Sequence, residues 1–279
     1  MRVLRHSMKK ERQIQFNEKV GDQVSPSYER IHVEIFNPIE QERLSKALAE
    51  AIEQIRTNSR PLIALDYGCG SGNLTRHLIK LGLQTVSADV SQKFLNMVEH
   101  TFSETGFLQV LKVNGKDLSD LESEKFDLVA TYSVLHHVPD YLRIVEEMCR
   151  VLKPGGVIYI DHEVNESYWQ RPQAYLEFQQ KARPRVNLKR YFRLLLDIKG
   201  YIHILRRIVN PRYKREGDIH VWPDDHIEWD RIERILDAQG LEIVLRQDYL
   251  LYKTPYKVDV YNEYKERCAD QRMLIARKN

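Results

Sequence analysis

The sequence predicts an α/β protein built on a doubly wound, mostly parallel sheet, and three observations carry that prediction. Short apolar runs alternate with stretches of helical spacing between residues 62 and 160. Each run ends in a polar residue, most often an acid. The first run is followed by Asp66 and by three glycines at alternate positions. Parallel strands bring their carboxyl ends to one edge of a sheet, so a ligand crevice is expected there.

The elements follow in chain order from these patterns. A helix is predicted over 40–56, and Arg60-Pro61 ends it before the first strand. The predicted strands are 62–66, 85–88, 110–113, 126–131 and 157–160, and the helices between them are 73–81, 91–104 and 140–152. The alternation stops after residue 163 and resumes with a helix near 230–239 and strands at 242–246 and 273–276.

This pattern divides the chain into four segments. Residues 1–58 form an N-terminal helical cap, and residues 59–163 form the core of the nucleoside site. Residues 164–227 are an insertion after the fifth strand, placed to act as a lid, and residues 228–279 complete the sheet.

The bulk composition is that of a soluble protein, and we expect a cytoplasmic one. No apolar run approaches the roughly 18 residues needed to span a bilayer, and the basic N-terminus lacks the apolar stretch of a secretory signal. Three separated cysteines suit a reducing compartment. The net charge of +3 conceals an asymmetry, because residues 165–218 hold thirteen Lys and Arg against five Asp and Glu.

The glycine motif distinguishes two kinds of nucleotide site. Gly68, Gly70 and Gly72 have the form G-x-G-x-G after an acid, which is neither a P-loop nor a dinucleotide fingerprint. Glycines allow the backbone to approach a ligand closely, so the motif favours a nucleoside without a pyrophosphate. Asp89 can accept from both hydroxyls of a ribose, although it can also cap a helix. Asp117 can accept from an adenine amino group, or be a solvated loop acid.

The sequence resembles a known family at five motifs. They are LDYGCGSGN at 65–73, ADVS at 88–91, KDL at 116–118, FDLVATYSVLHHVPD at 126–140 and LKPGGVIYIDHE at 152–163. Together they resemble the class I S-adenosylmethionine-dependent methyltransferases, in particular the small-molecule branch that includes ubiquinone-type enzymes. The resemblance implies a Rossmann-like sheet of seven strands with an antiparallel last strand, and S-adenosylmethionine as the cofactor.

The resemblance also implies roles for individual residues. Asp66, Gly68, Gly70 and Gly72 would surround the methionine part of the cofactor, with Asn73 ending the same loop. Asp89 falls at the ribose and Val90 beside the adenine. Asp117 and Leu118 fall at the adenine edge, Tyr132 beneath the methionine moiety, and His137 just beyond it.

Catalytic and acceptor-binding residues are expected around the ends of the fourth and fifth strands. His136 and His162 are the candidate general bases, because histidine titrates near neutral pH. Glu163, Trp169, Tyr28 and His32 are the candidate acceptor contacts. The spacing of His162, Glu163 and His136 matches no standard metal signature, so no metal is predicted.

Residues 186–209 carry an apolar stripe of helical spacing flanked by basic residues. The stripe predicts either a lid with a solvated basic face or a surface for an anionic membrane, a lipid-linked substrate or a phosphorylated one. Nucleic acid is disfavoured by the modest overall charge. The function expected is methyl transfer to oxygen, nitrogen or carbon of a small molecule. A nicotinamide-dependent oxidoreductase and a non-catalytic cofactor-binding module remain as alternatives, and the oligomeric state is not determined.

Overall fold

A computed structural model of the chain describes residues 2–182 and 205–279, and for residues 2–7 it describes the backbone alone. The strands are β1 Ile63–Tyr67, β2 Gln84–Asp89, β3 Leu108–Lys112, β4 Phe126–Tyr132, β5 Leu152–Val164, β6 Val221–Trp222, β7 Asp225–His226, β8 Leu241–Tyr249 and β9 Gln271–Lys278. Seven of them form one sheet in the order β3-β2-β1-β4-β5-β9-β8, and β6 pairs with β7 in a separate hairpin.

The direction of the strands confirms the predicted fold class. Along the part of the sheet ordered β3-β2-β1-β4-β5, each strand is parallel to its neighbours. The last strand, β9, lies antiparallel between β5 and β8. The strand order reverses between β1 and β4, so the crevice expected at a topological switch point lies beyond the carboxyl ends of these two strands.

Helices cover both faces of the sheet. They are α1 Arg2–Val24, α2 Tyr28–Ile31, α3 Pro38–Glu53, α4 Asn73–Lys80, α5 Gln92–Phe102, α6 Tyr141–Val151, α7 Glu166–Gln170, α8 Gln173–Ala182, α9 Trp229–Ala238 and α10 Val258–Tyr264. The predicted helix 40–56 corresponds to α3, which starts earlier because Asn37 caps it and accepts from the Glu40 amide. The predicted cap for α5 is also present, since Ser91 accepts from the Phe94 amide.

The apolar core has two main parts, one on each face of the sheet. One cluster joins the sheet to α6 and α9 and includes Trp229, whose side chain is buried. The other joins it to α3 and α4. Ion pairs of Lys10 with Asp140, Glu11 with Lys116 and Glu18 with Lys112 fasten the long helix α1 across the carboxyl edge of the sheet. This places α1 as a wall of the crevice.

The insertion after β5 packs against a later part of the chain, which the sequence does not indicate. Tyr175 and Phe178 of α8 pack with Tyr252 and with Tyr261 and Tyr264 of α10. The segment between β8 and β9 therefore supports the predicted insertion. Apolar spacing within either segment does not reveal that the two pack together. Most of the predicted stripe at 186–209, from Leu188 to Ile202, lies outside the described residues.

Candidate active site

A cavity of about 440 Å³ opens at the carboxyl ends of β1, β2, β4 and β5. The loops after these strands form its floor, and α1, α2 and the segment around residues 216–221 close it from above. A smaller cavity adjoins it at the glycine loop, where Gly68, Gly70, Tyr28 and Ser133 line both. The two together form one continuous site of the size expected for a cofactor and a small acceptor.

The glycine loop is held against β2 by its own backbone. The amides of Gly68 and Cys69 donate to the Ala88 carbonyl at 2.8 and 3.0 Å. Gly68 has φ +74°, and a Cβ added there would lie 2.5 Å from the methyl carbons of Val134. Any larger residue at this position would collide with the loop after β4, so the predicted close backbone approach is present.

Asp89 binds the same loop from the end of β2. Its carboxylate accepts from the Gly70 amide at 3.0 Å and from the Ser91 amide at 2.8 Å. A carboxylate has about four acceptor positions, so two remain for a diol. Val90 and Phe94 on one side and Ile14 of α1 on the other complete an apolar slot beside it. The arrangement fits a ribose at Asp89 and a flat base in the slot.

Gly72 has a packing role and does not line either cavity. It precedes α4 with φ +88°, and a Cβ there would lie 2.9 Å from the ring of Phe102. The glycine allows α5 to approach the start of α4. The resemblance placed Gly72 at the cofactor, but its contacts in the structure are with this helix.

Asp117 and Leu118 lie away from the cavity as well. The Asp117 carboxylate accepts from the Asn114 side chain at 2.9 Å and from the Ser119 hydroxyl at 2.7 Å, in a turn that it stabilises itself. Leu118 is buried in the core. The turn brings Val113 and Gly115 to the cavity in their place.

The smaller cavity holds polar groups whose hydrogen-bonding capacity is not used. Ser71 Oγ and Asn73 Nδ2 are buried, and neither has a hydrogen-bond partner among the described residues. Gln41 donates to Asn73 Oδ1 at 2.9 Å, so the amide nitrogen of Asn73 points away from Gln41. Buried polar groups are rarely left unpaired, so these atoms indicate a polar ligand such as the amino-acid end of S-adenosylmethionine.

Asp66 lies beneath this cavity and lines it. Its carboxylate accepts from the Thr75 hydroxyl at 2.6 Å. Burial raises the pKa of Asp66 to about 7. A cationic amine beside it would favour the ionised carboxylate.

His136 and Glu163 form an ion pair at the ends of β4 and β5. Glu163 accepts from the amides of Val134 and Leu135 at 3.0 and 2.7 Å, and His136 Nδ1 lies 2.8 Å from its other oxygen. Burial opposes a charge on His136, but the Glu163 carboxylate outweighs it and raises the pKa of His136 to about 9. Glu163 therefore anchors the loop after β4, and His136 is protonated near neutral pH.

His162 is held in an unusual backbone conformation. It has φ +62°, and its amide donates to Asp161 Oδ1 at 2.7 Å. The ring stacks on Tyr132 with the two centroids 4.7 Å apart. Burial, followed by the charge of Arg43, lowers the pKa of His162 to about 3. The ring is neutral, and its buried Nε2 has no partner among the described residues.

His137 lies beside the rim of the cavity. Its Nδ1 is 3.4 Å from Asp218, and burial together with protonated His136 lowers its pKa to about 3. His136, His137 and Asp218 place one potential ligand atom each within 4.8 Å of one another. This group differs from the His162, Glu163 and His136 set considered from the sequence, and the absence of a metal stays a prediction.

The structure brings the predicted residues of the N-terminal segment to the site. Tyr28 and His32 line the large cavity, with their rings 4.2 Å apart. Trp169 does not line it, because its ring packs 5.2 Å from that of His226. The neighbouring Tyr168 takes the place expected for Trp169. Sequence reasoning also missed Glu216, Asp218 and Lys253 as lining residues, since each lies in a segment without a recognisable motif.

The fold and this site are similar to those of class I S-adenosylmethionine-dependent methyltransferases. Residues 65–160 match the family model described as "Methyltransferase domain". A ubiquinone biosynthesis O-methyltransferase from Methylococcus capsulatus is 30% identical over 180 residues, which are 64% of this chain and 65% of that protein. Over residues 65–160 the chain therefore matches a methyltransferase domain, and S-adenosylmethionine is the cofactor that this match indicates.

Solved structures support the fold. An S-adenosylmethionine-dependent methyltransferase from Mesorhizobium loti superposes with a TM-score of 0.53 at 18% identity, over 84% of this chain and 96% of that one. The [4+2]-cyclase SpnF superposes with a TM-score of 0.51 at 16% identity, over 84% of this chain and 80% of that one. The chain spans less than two thirds of the length of these curated relatives, between 41% and 65%.

Replacing Gly68 with alanine should destabilise the protein more than the same change at Gly82. Both glycines have positive φ, but the added methyl group at Gly82 would meet nothing within 4 Å. We expect a loss of about 3 kcal/mol in the free energy of unfolding for Gly68→Ala and about 1 kcal/mol for Gly82→Ala. Urea titrations of both variants measure the difference, and equal losses would show that Val134 does not restrict the loop.

The ion pair of His136 should make stability depend on pH. Folding raises the pKa of His136 from 6.5 to about 9, so its contribution is fully present below pH 6.5 and is lost as the pH rises through about 9. The stability difference between wild type and His136→Gln should fall by about 3 kcal/mol between pH 6 and pH 10. Denaturant titrations across this range test it, with His100→Gln on an exposed surface as control. A difference that stays constant over the range would contradict the ion pair.

Proposed function

We propose that this chain transfers a methyl group from S-adenosylmethionine to a small-molecule acceptor. The observation that carries the proposal is the Asp89 carboxylate, fixed by Gly70 and Ser91 with acceptor positions left over, in a cavity that continues to three histidines. The family match is to a methyltransferase domain, which does not support a nicotinamide-dependent oxidoreductase.

S-adenosylmethionine supplies an activated methyl group on a sulfonium, so the chain has mainly to bind and align the two reactants. Asn73 and Ser71 are placed to hold the amino-acid end, Asp89 the ribose, and Val90 and Ile14 the base. Tyr132, stacked under His162, separates this end from the acceptor space. Tyr28 and α1 close the site over both, which excludes water from the reacting atoms.

The two candidate bases have different chemistry. His136 is already protonated at neutral pH, so it can donate a hydrogen bond but cannot remove a proton. His162 is neutral, and its free Nε2 can accept a hydrogen bond from the acceptor. A pKa near 3 makes complete proton removal unfavourable at neutral pH. We infer that His162 orients the acceptor.

Cofactor binding tests the first part of the proposal. S-adenosylhomocysteine should bind the wild type, and Asp89→Ala should weaken binding at least about tenfold because two charge-assisted hydrogen bonds to the ribose are lost. Asp117→Ala is the matched control and should change the dissociation constant less than about twofold. Isothermal titration calorimetry measures both, with NADH as the competing cofactor class. Binding of NADH without binding of S-adenosylhomocysteine would reject the proposal.

His162→Asn should separate catalysis from cofactor binding. Asparagine tolerates positive φ, so the backbone is kept while the imidazole is lost. We expect the rate of S-adenosylhomocysteine release to fall about a hundredfold with an acceptor found by metabolite screening, because the acceptor is no longer aligned. Affinity for S-adenosylhomocysteine should not change. A wild-type rate would remove His162 from the mechanism, and a wild type that binds cofactor but never releases product would indicate a non-catalytic module.

We also propose that the outer face of the insertion contacts an anionic membrane surface from the cytoplasmic side. No helix in the described part of the chain is long and apolar enough to cross a bilayer. Leu205, Ile208 and Val209 are 62%, 71% and 86% exposed, and Arg206 and Arg207 lie among them. Exposed apolar side chains beside arginines are the combination that binds the interface of an anionic bilayer.

Vesicle co-sedimentation tests the membrane contact. The wild type should sediment with vesicles that contain anionic lipid and much less with neutral vesicles. Ile208→Ser with Val209→Ser should reduce sedimentation several-fold, because the apolar anchors are lost. Val258→Ser, an exposed apolar position elsewhere, serves as control. Equal sedimentation of both variants would contradict the contact.

A further inference from the structure

The charged groups of the acceptor space are unevenly distributed. Five carboxylates line the large cavity: Glu34, Asp89, Glu163, Glu216 and Asp218. The fixed cation of the described lining is Lys253, and the other basic groups there are histidines. Asp89 lies at the glycine loop, so the remaining four carboxylates determine the charge that an acceptor meets.

Two of these four carboxylates already have histidine partners. Glu163 lies 2.8 Å from His136, and Glu34 lies 3.0 Å from His32. Burial opposes a charge on His32, but its contact with Glu34 and the nearby Glu216 raise its pKa above the usual value. Glu216 is 3.8 Å from His32, which Glu34 already holds more closely. Asp218 faces His137, which is neutral.

Lys253 does not balance Glu216 and Asp218. Its charge adds to the burial and to the other cations that lower the pKa of His162, and it opposes the rise that burial causes in the pKa of Asp270. Glu216 and Asp218 instead act on Tyr28, His32 and His136 at the opposite part of the cavity. The part of the acceptor space nearest the end of β4 therefore has a negative electrostatic potential.

The backbone that carries the two carboxylates is held in place. The amides of Ile219 and His220 both donate to the His136 carbonyl, at 3.0 and 3.1 Å. Gln13 of α1 donates to the Gly217 carbonyl at 2.9 Å, and a Cβ on Gly217 would lie 2.4 Å from the Asn17 side chain. The segment 216–220 is thus fixed between α1 and the loop after β4. A preorganised charge of this kind is effective in selecting a ligand.

From this geometry we propose that the methyl acceptor carries a basic amino group, which Glu216 and Asp218 recognise, and that carboxylate and phosphate acceptors are excluded. The inference rests on the proposed function. A second observation agrees with it: His162 lines the same space, and its buried Nε2 has no partner among the described residues and can accept a hydrogen bond from an N–H group.

The reaction at nitrogen suits the groups that are present. The ammonium form that Glu216 and Asp218 bind first releases a proton to solvent. The lone pair of the resulting neutral amine attacks the methyl carbon, a nitrogen–carbon bond forms, and the carbon–sulfur bond breaks with its electron pair left on sulfur. The positive charge passes to the nitrogen, beside Glu216 and Asp218, and the nitrogen releases a proton to solvent afterwards. An ammonium loses its proton more readily than an alcohol hydroxyl does, so the nitrogen acceptor does not need the strong base that neither His136 nor His162 provides.

Matched probes of equal shape and different charge test this inference. The protein is first saturated with S-adenosylhomocysteine. Binding of 2-phenylethylamine, 2-phenylethanol and phenylacetate to this complex is then measured by calorimetry. Butylamine, butanol and butyrate form a second series. We expect each amine to bind at least about tenfold more tightly than the carboxylate of its series, and the preference to shrink as salt is raised.

Two double variants locate the source of the preference. Glu216→Gln with Asp218→Asn should reduce the ratio of amine to carboxylate affinity at least about fivefold. Asp120→Asn with Glu122→Gln removes the same charge from a surface outside the cavity and should leave the ratio unchanged. If the first variant fails to fold, the salt dependence of the wild type decides instead.

The outcomes separate this inference from the proposed function. Equal binding of amine and carboxylate, tighter binding of the carboxylate, or no binding of any probe to the saturated protein would overturn the amine assignment. Failure of S-adenosylhomocysteine itself to bind would instead overturn the proposed function.

Discussion

The buried ion pairs of Arg43 are the constraint on which the site depends. The guanidinium donates to Glu40 and to Asp161 and lies 3.9 Å above the ring of Tyr249. Asp161 is fully buried and Glu40 nearly so, and a buried charge is tolerated only when it is paired. Removing one partner would leave the others uncompensated, at a cost of roughly 3–5 kcal/mol. The interaction therefore locks α3 to β5 and β8, beneath the cavity.

The position of the acceptor-side residues follows from this network. Asp161 accepts the amide of His162 and so stabilises its left-handed backbone, while Glu40 accepts the hydroxyl of Tyr132 on which His162 stacks. Three histidines within one small space then acquire different protonation states. His136 is charged because Glu163 pairs with it, and His137 and His162 are neutral because burial and neighbouring cations oppose a charge. One residue type thus provides a donor and an acceptor in the same cavity.

Much of the fold and the cofactor half of the site could be predicted from the sequence. The strands β1 to β5 were expected from their spacing, and the antiparallel direction of β9 only from the family resemblance. Asp89 meets Gly68 and Gly70 at the predicted edge. These features depend on short-range rules, because strand periodicity and the order of βα units place strand ends together. Asp117 and Trp169 were expected at the site and lie outside the cavity lining, because each has a nearer partner: Asn114 and Ser119 for the first, and His226 for the second. Composition and spacing do not reveal such competition between partners.

The sequence by itself determined the class of the fold, the glycine loop and Asp89, which contacts that loop. All three follow from local patterns of apolar spacing and backbone freedom. Only the tertiary structure decided which polar residues share the acceptor space. Tyr28, His162, Glu216 and Lys253 come from four distant parts of the chain, and packing of α1, the insertion and the segment after β8 brings them together. It also decided the charge of each histidine, because a pKa depends on burial and on neighbours that are far away in sequence.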